Sequence, residues 1–178
     1  VGSEMCIRDR AETAAIAAID QAKADGDTLG GIVELYITGV PMGLGSYVQH
    51  DRRLDAELAA AIMSIQAIKG VEIGPAFDNA RKPGSQVHDE LFAGGEKGLR
   101  RETNRAGGIE GSMSSGQPIH IRAAMKPISS LVSPLRSFDL TTLEAVQSRF
   151  ERSDTCAVPA AGVVAEAVVA PVSYTHLA

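Results

Sequence analysis

Between residues 74 and 108 the chain shows little apolar patterning, only Gly, Asn, Arg and Lys among scattered charges, and any fold must be built around that stretch. A connection of this length inside a folded domain is usually either functional or disordered. Regular structure therefore has to come from its flanks. On the N-terminal side, residues 11–24 place Ala14, Ile16, Ala18, Ile19 and Ala22 at helical spacing, and Asp25-Gly26-Asp27 stops the pattern. Residues 32–40 then alternate, with Val33, Leu35 and Ile37 on one face and Glu34, Tyr36 and Thr38 on the other, which predicts a half-buried antiparallel strand. Residues 41–49 are a Pro/Gly loop. Leu58, Ile62, Ile65 and Ile68 predict a second helix over 54–68, ended by Gly70, and residues 71–73 a short strand.

On the C-terminal side, residues 107–116 (GGIEGSMSSG) form a Gly/Ser-rich turn segment. In residues 118–125, Ile119, Ile121 and Ala123 alternate against His120, Arg122 and Ala124, the pattern of a strand that delivers its end to a loop at Lys126-Pro127. A weaker helix is predicted over 141–150, and a strongly apolar closing helix over 162–170 that must be buried. No internal repeat is evident. Helix, strand, helix, strand in the first half points to helices packed on antiparallel sheets.

The chain has 178 residues, enough for one domain with a real core. Its 44% apolar and 22% charged residues argue against wholesale disorder. Only 4% is aromatic, with no Trp, so the core must be Ala, Val, Ile and Leu, and stacking platforms for nucleic acid are scarce. A net charge of -5 disfavours a general polyanion surface without excluding a local basic pocket. No apolar run approaches the ~20 residues of a membrane span. Cys6 and Cys156 lack metal-ligand spacing, which fits a reduced, cytoplasmic setting. Residues 1–10 and 172–178 show no periodicity continuous with their neighbours. They resemble short tails found on unrelated sequences and are expected to be non-native, leaving Cys156 as the one genuine cysteine.

The phosphate loop GxxxxGK[ST], the dinucleotide GxGxxG between strand and helix, and the HExxH zinc helix are all absent. Three clusters remain. Residues 107–116 with 126–130 offer backbone amides freed by glycine, a lysine and two hydroxyls, a set that suits a phosphate; a plain hairpin loop explains the glycines equally well. Arg152 could clamp an anion while Asp154, two residues on and on the same face of a strand, takes or holds a proton; surface Arg and Asp are also common without any role. His88-Asp89-Glu90 has the composition of a metal or acid/base site, but adjacent loop residues seldom converge on one ion, so it reads as a solvated loop. His50 and His120 have no visible partner, and His176 lies in the C-terminal tail.

Residues 64–74 (SIQAIKGVEIG), 103–116 (TNRAGGIEGSMSSG), 118–131 (PIHIRAAMKPISSL) and 151–167 (ERSDTCAVPAAGVVAEA) together resemble, in order and spacing, the signature blocks of chorismate synthase. The resemblance covers about residues 11–170. It implies an α+β fold, a β-α-β sandwich with helices packed between antiparallel sheets, of which this chain is a C-terminal portion. It also implies reduced FMN, a 1,4-anti elimination of phosphate and a proton from 5-enolpyruvylshikimate 3-phosphate, and a homotetramer. By the same resemblance Gln66, Ala67, Gly111, Lys126, Pro127, Ile128, Ser129, Ser130 and Arg152 contact FMN, Arg152 lies near the substrate, and Asp154 is the catalytic aspartate. Ser112 and Ser115 stand where the family pattern has Gly and Asn. Full-length members are roughly twice this size and carry two active-site histidines and most substrate-clamping arginines in an N-terminal half that is not in this sequence. The chain alone is therefore expected to be inactive. A non-catalytic flavin- or phosphate-binding module, or a structural remnant without ligand, are the other readings.

Overall fold

The computed structural model describes the backbone of residues 2–95 and 98–175, with side chains described for 10–95 and 98–172. His176 lies outside the described residues. The chain divides into two units, one of residues 1–31 and 126–158 and the other of 32–125 and 159–178.

In the larger unit a three-stranded sheet has the order β1 (Gly31–Ile37), β7 (Ile119–Met125), β2 (Ile68–Ile73). Strand β7 is central and antiparallel to β2, pairing Ile73 with Ile121 and Ile68 with Met125 around a bulge between Ile68 and Gly70. Tyr36 stacks on His120 and Glu34 meets Arg122, so β1 and β7 also run in opposite directions. The alternation holds as expected: Val33, Leu35, Ile119, Ile121 and Ala123 are buried. They meet the buried sides of helix α2 (Leu54–Met63), namely Leu54, Leu58 and Ile62, and of helix α4 (Val158–Thr175), namely Ala161, Ala165 and Val169. The small residues of α4 bring its backbone close to the sheet, where a Cβ on Gly162 would lie 4.0 Å from Val33.

Five expectations are corrected. The second helix ends at Met63, not 68. Residues 64–67 turn, Ala67 adopts a left-handed φ of 67°, Ile68 opens β2, and Gly70 sits at its bulge. Residues 141–150 are not helical. The Asp139 carboxylate accepts from the Thr141 and Thr142 amides (2.7 and 2.9 Å), and Leu143 takes φ 60°, which reverses the chain into the hairpin β8 (Arg136–Phe138) and β9 (Ala145–Gln147). The stretch after Gly74 holds short ordered pieces: α3 (Ala76–Asn79), a 3-10 turn at Gly84–Gln86, and paired strands β3 (Phe92–Ala93) and β4 (Leu99–Arg100). Helix α4 is buried on one side only, because Val163 and Val164 on its second apolar side have no layer over them among the described residues. The helical backbone extends past both expected ends, α1 running Gly2–Ala24 and α4 to Thr175.

The smaller unit has almost no core. Of its described residues only Ala22, Gly26 and Thr28 are buried.

Leu58 is fully buried between α2 and the sheet. Leu58→Ala is expected to destabilise the chain by about 2–5 kcal/mol, read as a lower urea midpoint in circular dichroism. A shift below about 0.5 kcal/mol would mean that α2 does not hold this core.

Candidate functional site

In the larger unit, residues 103–116 close into the hairpin of β5 (Ile109–Glu110) and β6 (Met113–Ser114). Its two-residue turn, Gly111-Ser112, has positive φ at both positions (57° and 65°), the signature of a tight primed turn. A side chain at Gly111 would meet nothing within 4 Å, so its backbone is open to an incoming group. Ser112 is buried, and its left-handed φ costs on the order of 1 kcal/mol. Its hydrogen bonds offset that: Arg53 Nε donates to Ser112 Oγ (2.6 Å), which donates to Asp55 Oδ2 (3.0 Å), and the Leu54 amide donates to Ser112 O (3.2 Å). On the next strand position Ser114 Oγ donates to Pro41 O (2.6 Å) and accepts from the Leu44 amide (2.8 Å). The hairpin tip is thereby tied to the 41–54 loop.

The base of the same segment is tied by Asp89. Its carboxylate accepts from the Thr103 hydroxyl and from the Arg105 and Ala106 amides (both 2.9 Å), and its carbonyl from Arg101 Nη1 (3.2 Å). Burial pushes this carboxyl up, but the Thr103 hydroxyl, the two amides and the Arg101 charge together hold it below the usual range. The solvated-loop reading of His88-Asp89-Glu90 is thus corrected at Asp89, which is buried and fully engaged. Nothing local in the sequence marks it, since its partners lie 12 to 17 residues away. Further along, Gly107 is backed onto Gly74, where a Cβ would stand 2.3 Å from the Gly74 nitrogen. Asn79, His88, Asp89, Arg105 and Gly111 line a cavity of about 310 Å³ beside the turn. Gln66 and Ala67 occupy the turn before β2, Gln66 exposed and Ala67 half-buried.

In the smaller unit, residues 126–130 and 151–156 are laced together. Ser130 Oγ donates to Glu151 O (2.6 Å) and accepts from the Glu151 amide (2.7 Å), and Ser153 Oγ reaches Ser130 O at 3.5 Å. Thr28 Oγ1 donates to Ile128 O, the Leu29 amide to Thr155 O (2.8 Å), and Leu29 pairs with Cys156 as an isolated bridge. Lys126, Pro127, Ser129, Arg152 and Asp154 are exposed, while Ile128 and Ser130 are half-buried. The structure therefore brings the Lys126 to Ser130 loop together with the Arg152 and Asp154 segment, and separately brings Gly111 to an open hairpin tip. His120 lies on the outer face of the sheet, stacked on Tyr36 at 4.4 Å, and His50 in an exposed 3-10 turn.

The family profile for chorismate synthase matches residues 2–177. Chorismate synthase of Chlorobaculum tepidum is 98% identical over 162 residues, which is 91% of this chain and 41% of that protein. The Chlorobaculum parvum enzyme is 94% identical over 162 residues, 91% of this chain and 40% of its own length. A crystal structure of chorismate synthase superposes with a TM-score of 0.73 at 45% identity, covering 90% of this chain and 40% of that one. The chain spans about two fifths of the length of the relatives it matches.

Because the folded Asp89 carboxyl ionises below its unfolded value of about 3.9, its stabilisation is fully present above about pH 4 and fades as pH falls through the folded value. Asp89→Asn is expected to cost about 1–3 kcal/mol at pH 7 and to flatten the acid limb of the stability curve below about pH 4. An unchanged acid limb in the variant would remove Asp89 as its source.

Proposed function

The chain belongs to the chorismate synthase family, and from that premise we propose that it supplies flavin- and substrate-contacting loops to a lyase that converts 5-enolpyruvylshikimate 3-phosphate to chorismate with loss of phosphate. What supports this reading is the lacing of Ser130, at the end of the Lys126 to Ser130 loop, onto Glu151 and Ser153, in the exposed segment that also carries Arg152 and Asp154.

The residues fit FMN by the chemistry of their donors. Lys126 and Arg152 are exposed cations suited to a phosphate, and the bare Gly111 turn admits close approach of a flat group. Gln66, Ala67, Pro127, Ile128 and Ser129 complete the contact set. Ser130 acts by position, because its hydroxyl is already engaged with Glu151. Reduced FMN, if bound, would supply an electron-rich ring that supports loss of phosphate and a proton without net redox change. Arg152 clamps the anionic substrate, and the Asp154 carboxylate assists removal of the substrate proton. The whole enzyme works in the cytoplasm as a homotetramer. No described helix is long and apolar enough to cross a membrane.

A second reading, binding without turnover, is favoured for this chain on its own because it spans only 41% of its relative's length. Titration of the chain with FMN, followed by flavin fluorescence, is expected to show saturable quenching that Arg152→Ala weakens by about tenfold or more. Addition of substrate and a reductant should release no phosphate. Absence of quenching would overturn flavin binding by this chain alone, and phosphate release would overturn its inactivity.

A further inference from the structure

The hairpin β8–β9 presents more apolar surface than its own unit can cover. Phe138 pairs with Ala145 on one face, which also carries Arg136 and Gln147, and Ser137 with Val146 on the other, so each side of the ribbon carries exposed apolar side chains. Phe138, Val146 and the turn residues Leu140 and Leu143 are all exposed, the last two at 86% and 74%. Leu135 and Phe150 extend the same exposed set at either end. Among the described residues β8 and β9 pair only with each other, leaving both edges open. A two-stranded ribbon in water is marginal by itself. The unit that bears it buries only Ala22, Gly26 and Thr28 among its described residues, too little apolar surface to offset the entropy of ordering it. Soluble monomers rarely leave a contiguous patch of this kind facing water.

The ribbon must therefore be covered from elsewhere. About three fifths of a chorismate synthase polypeptide lies outside this chain, which spans 41% of a 98% identical relative. We propose that the β8–β9 ribbon is the docking surface for that remaining part of the same polypeptide, which packs over Phe138, Leu140, Leu143 and Val146. A cover from the same polypeptide is present at every protein concentration. A second copy would leave a unit without a core to persist uncovered until assembly. The inference rests on family membership and the exposed surface, and does not depend on flavin binding.

Hydrogen exchange of residues 132–150, followed by mass spectrometry, tests this in the present chain and in the full-length Chlorobaculum tepidum enzyme across a dilution series. Exchange is expected to be slower in the full-length enzyme by about tenfold or more at every concentration. Protection that appears only as concentration rises would assign the surface to a second copy and overturn the proposal. Equal exchange in the two proteins would overturn it as well. In the full-length enzyme, Leu140→Ser combined with Leu143→Ser should speed exchange in residues 132–150 while Ile119–Met125, the central strand, stays protected. Parental exchange in the double variant would mean that nothing packs on the hairpin tip.

Discussion

Strand β7 is the element on which the larger unit depends, because among the described strands of the three-stranded sheet it is the one with a strand on each edge. Its inward side, Ile119, Ile121 and Ala123, is at most 1% exposed and supplies the floor against which α2 and α4 pack. Its outward side is polar and meets its neighbours sideways, although His120 Nε2 is buried without a hydrogen-bond partner. Arg122 lies between Glu34 of β1 and Glu72 of β2, at 2.9 and 2.8 Å, and His120 stacks on Tyr36. Each ion pair is partly solvated and contributes little energy. Their effect is on register: shifting β7 by one residue would send Arg122 inward and Ile121 outward. The hydrophobic alternation and the two ion pairs specify the same pairing.

That pairing also fixes where the glycine-rich segment begins. The Gly74 amide donates to His120 O and the His120 amide to Gly107 O, so the segment after β2 and the segment before β7 meet at the sheet edge. Gly74 and Gly107 touch backbone to backbone, and a Cβ on either would stand under 3 Å from the other's main chain. From this point the hairpin is carried outward to Gly111, tied by Asp89 at its base and by Arg53, Asp55 and Pro41 at its tip. An open glycine amide held by a rigid scaffold is better suited to a ligand than the same glycine on a loose loop, because less entropy is lost on binding.

Sequence reasoning reached the elements whose signal is periodic. β1 and β7 were legible because alternation over seven residues has one structural reading, and α2 began where its apolar spacing began. It failed where a local side-chain bond overrode a pattern. Asp139 captures two amides and turns residues 141–150 back into a hairpin, although their composition permits a helix. It failed again where the decisive contact was distant. Asp89 is one of several acidic residues in a polar stretch, and only the fold brings Thr103, Arg105 and Ala106 to it. Ser112 drew notice only as an expected departure from the pattern the chain resembles; in the structure Arg53 and Asp55 hydrogen-bond its side chain at a left-handed turn.

The nominated residues divide in a way that bears on how such a site can work. Gly111, Gln66 and Ala67 belong to the unit that has a core, Gly111 in a hairpin tied at both ends and Gln66 and Ala67 in the turn that opens β2. Lys126 to Ser130, Arg152 and Asp154 belong to the unit that has almost none, and are set by a few surface hydrogen bonds centred on Ser130. Positioning to within a few tenths of an ångström, which proton transfer demands, is not sustained by exposed bonds that open on fast timescales. On the function proposed above, the cations and the carboxylate would therefore draw on the rest of the polypeptide for their order more than for their chemistry. A bound phosphate would serve the same end in part, by drawing Lys126 and Arg152 toward one charge. Ligand binding and completion of the fold should then reinforce each other, since each lowers the ordering entropy that the other must overcome.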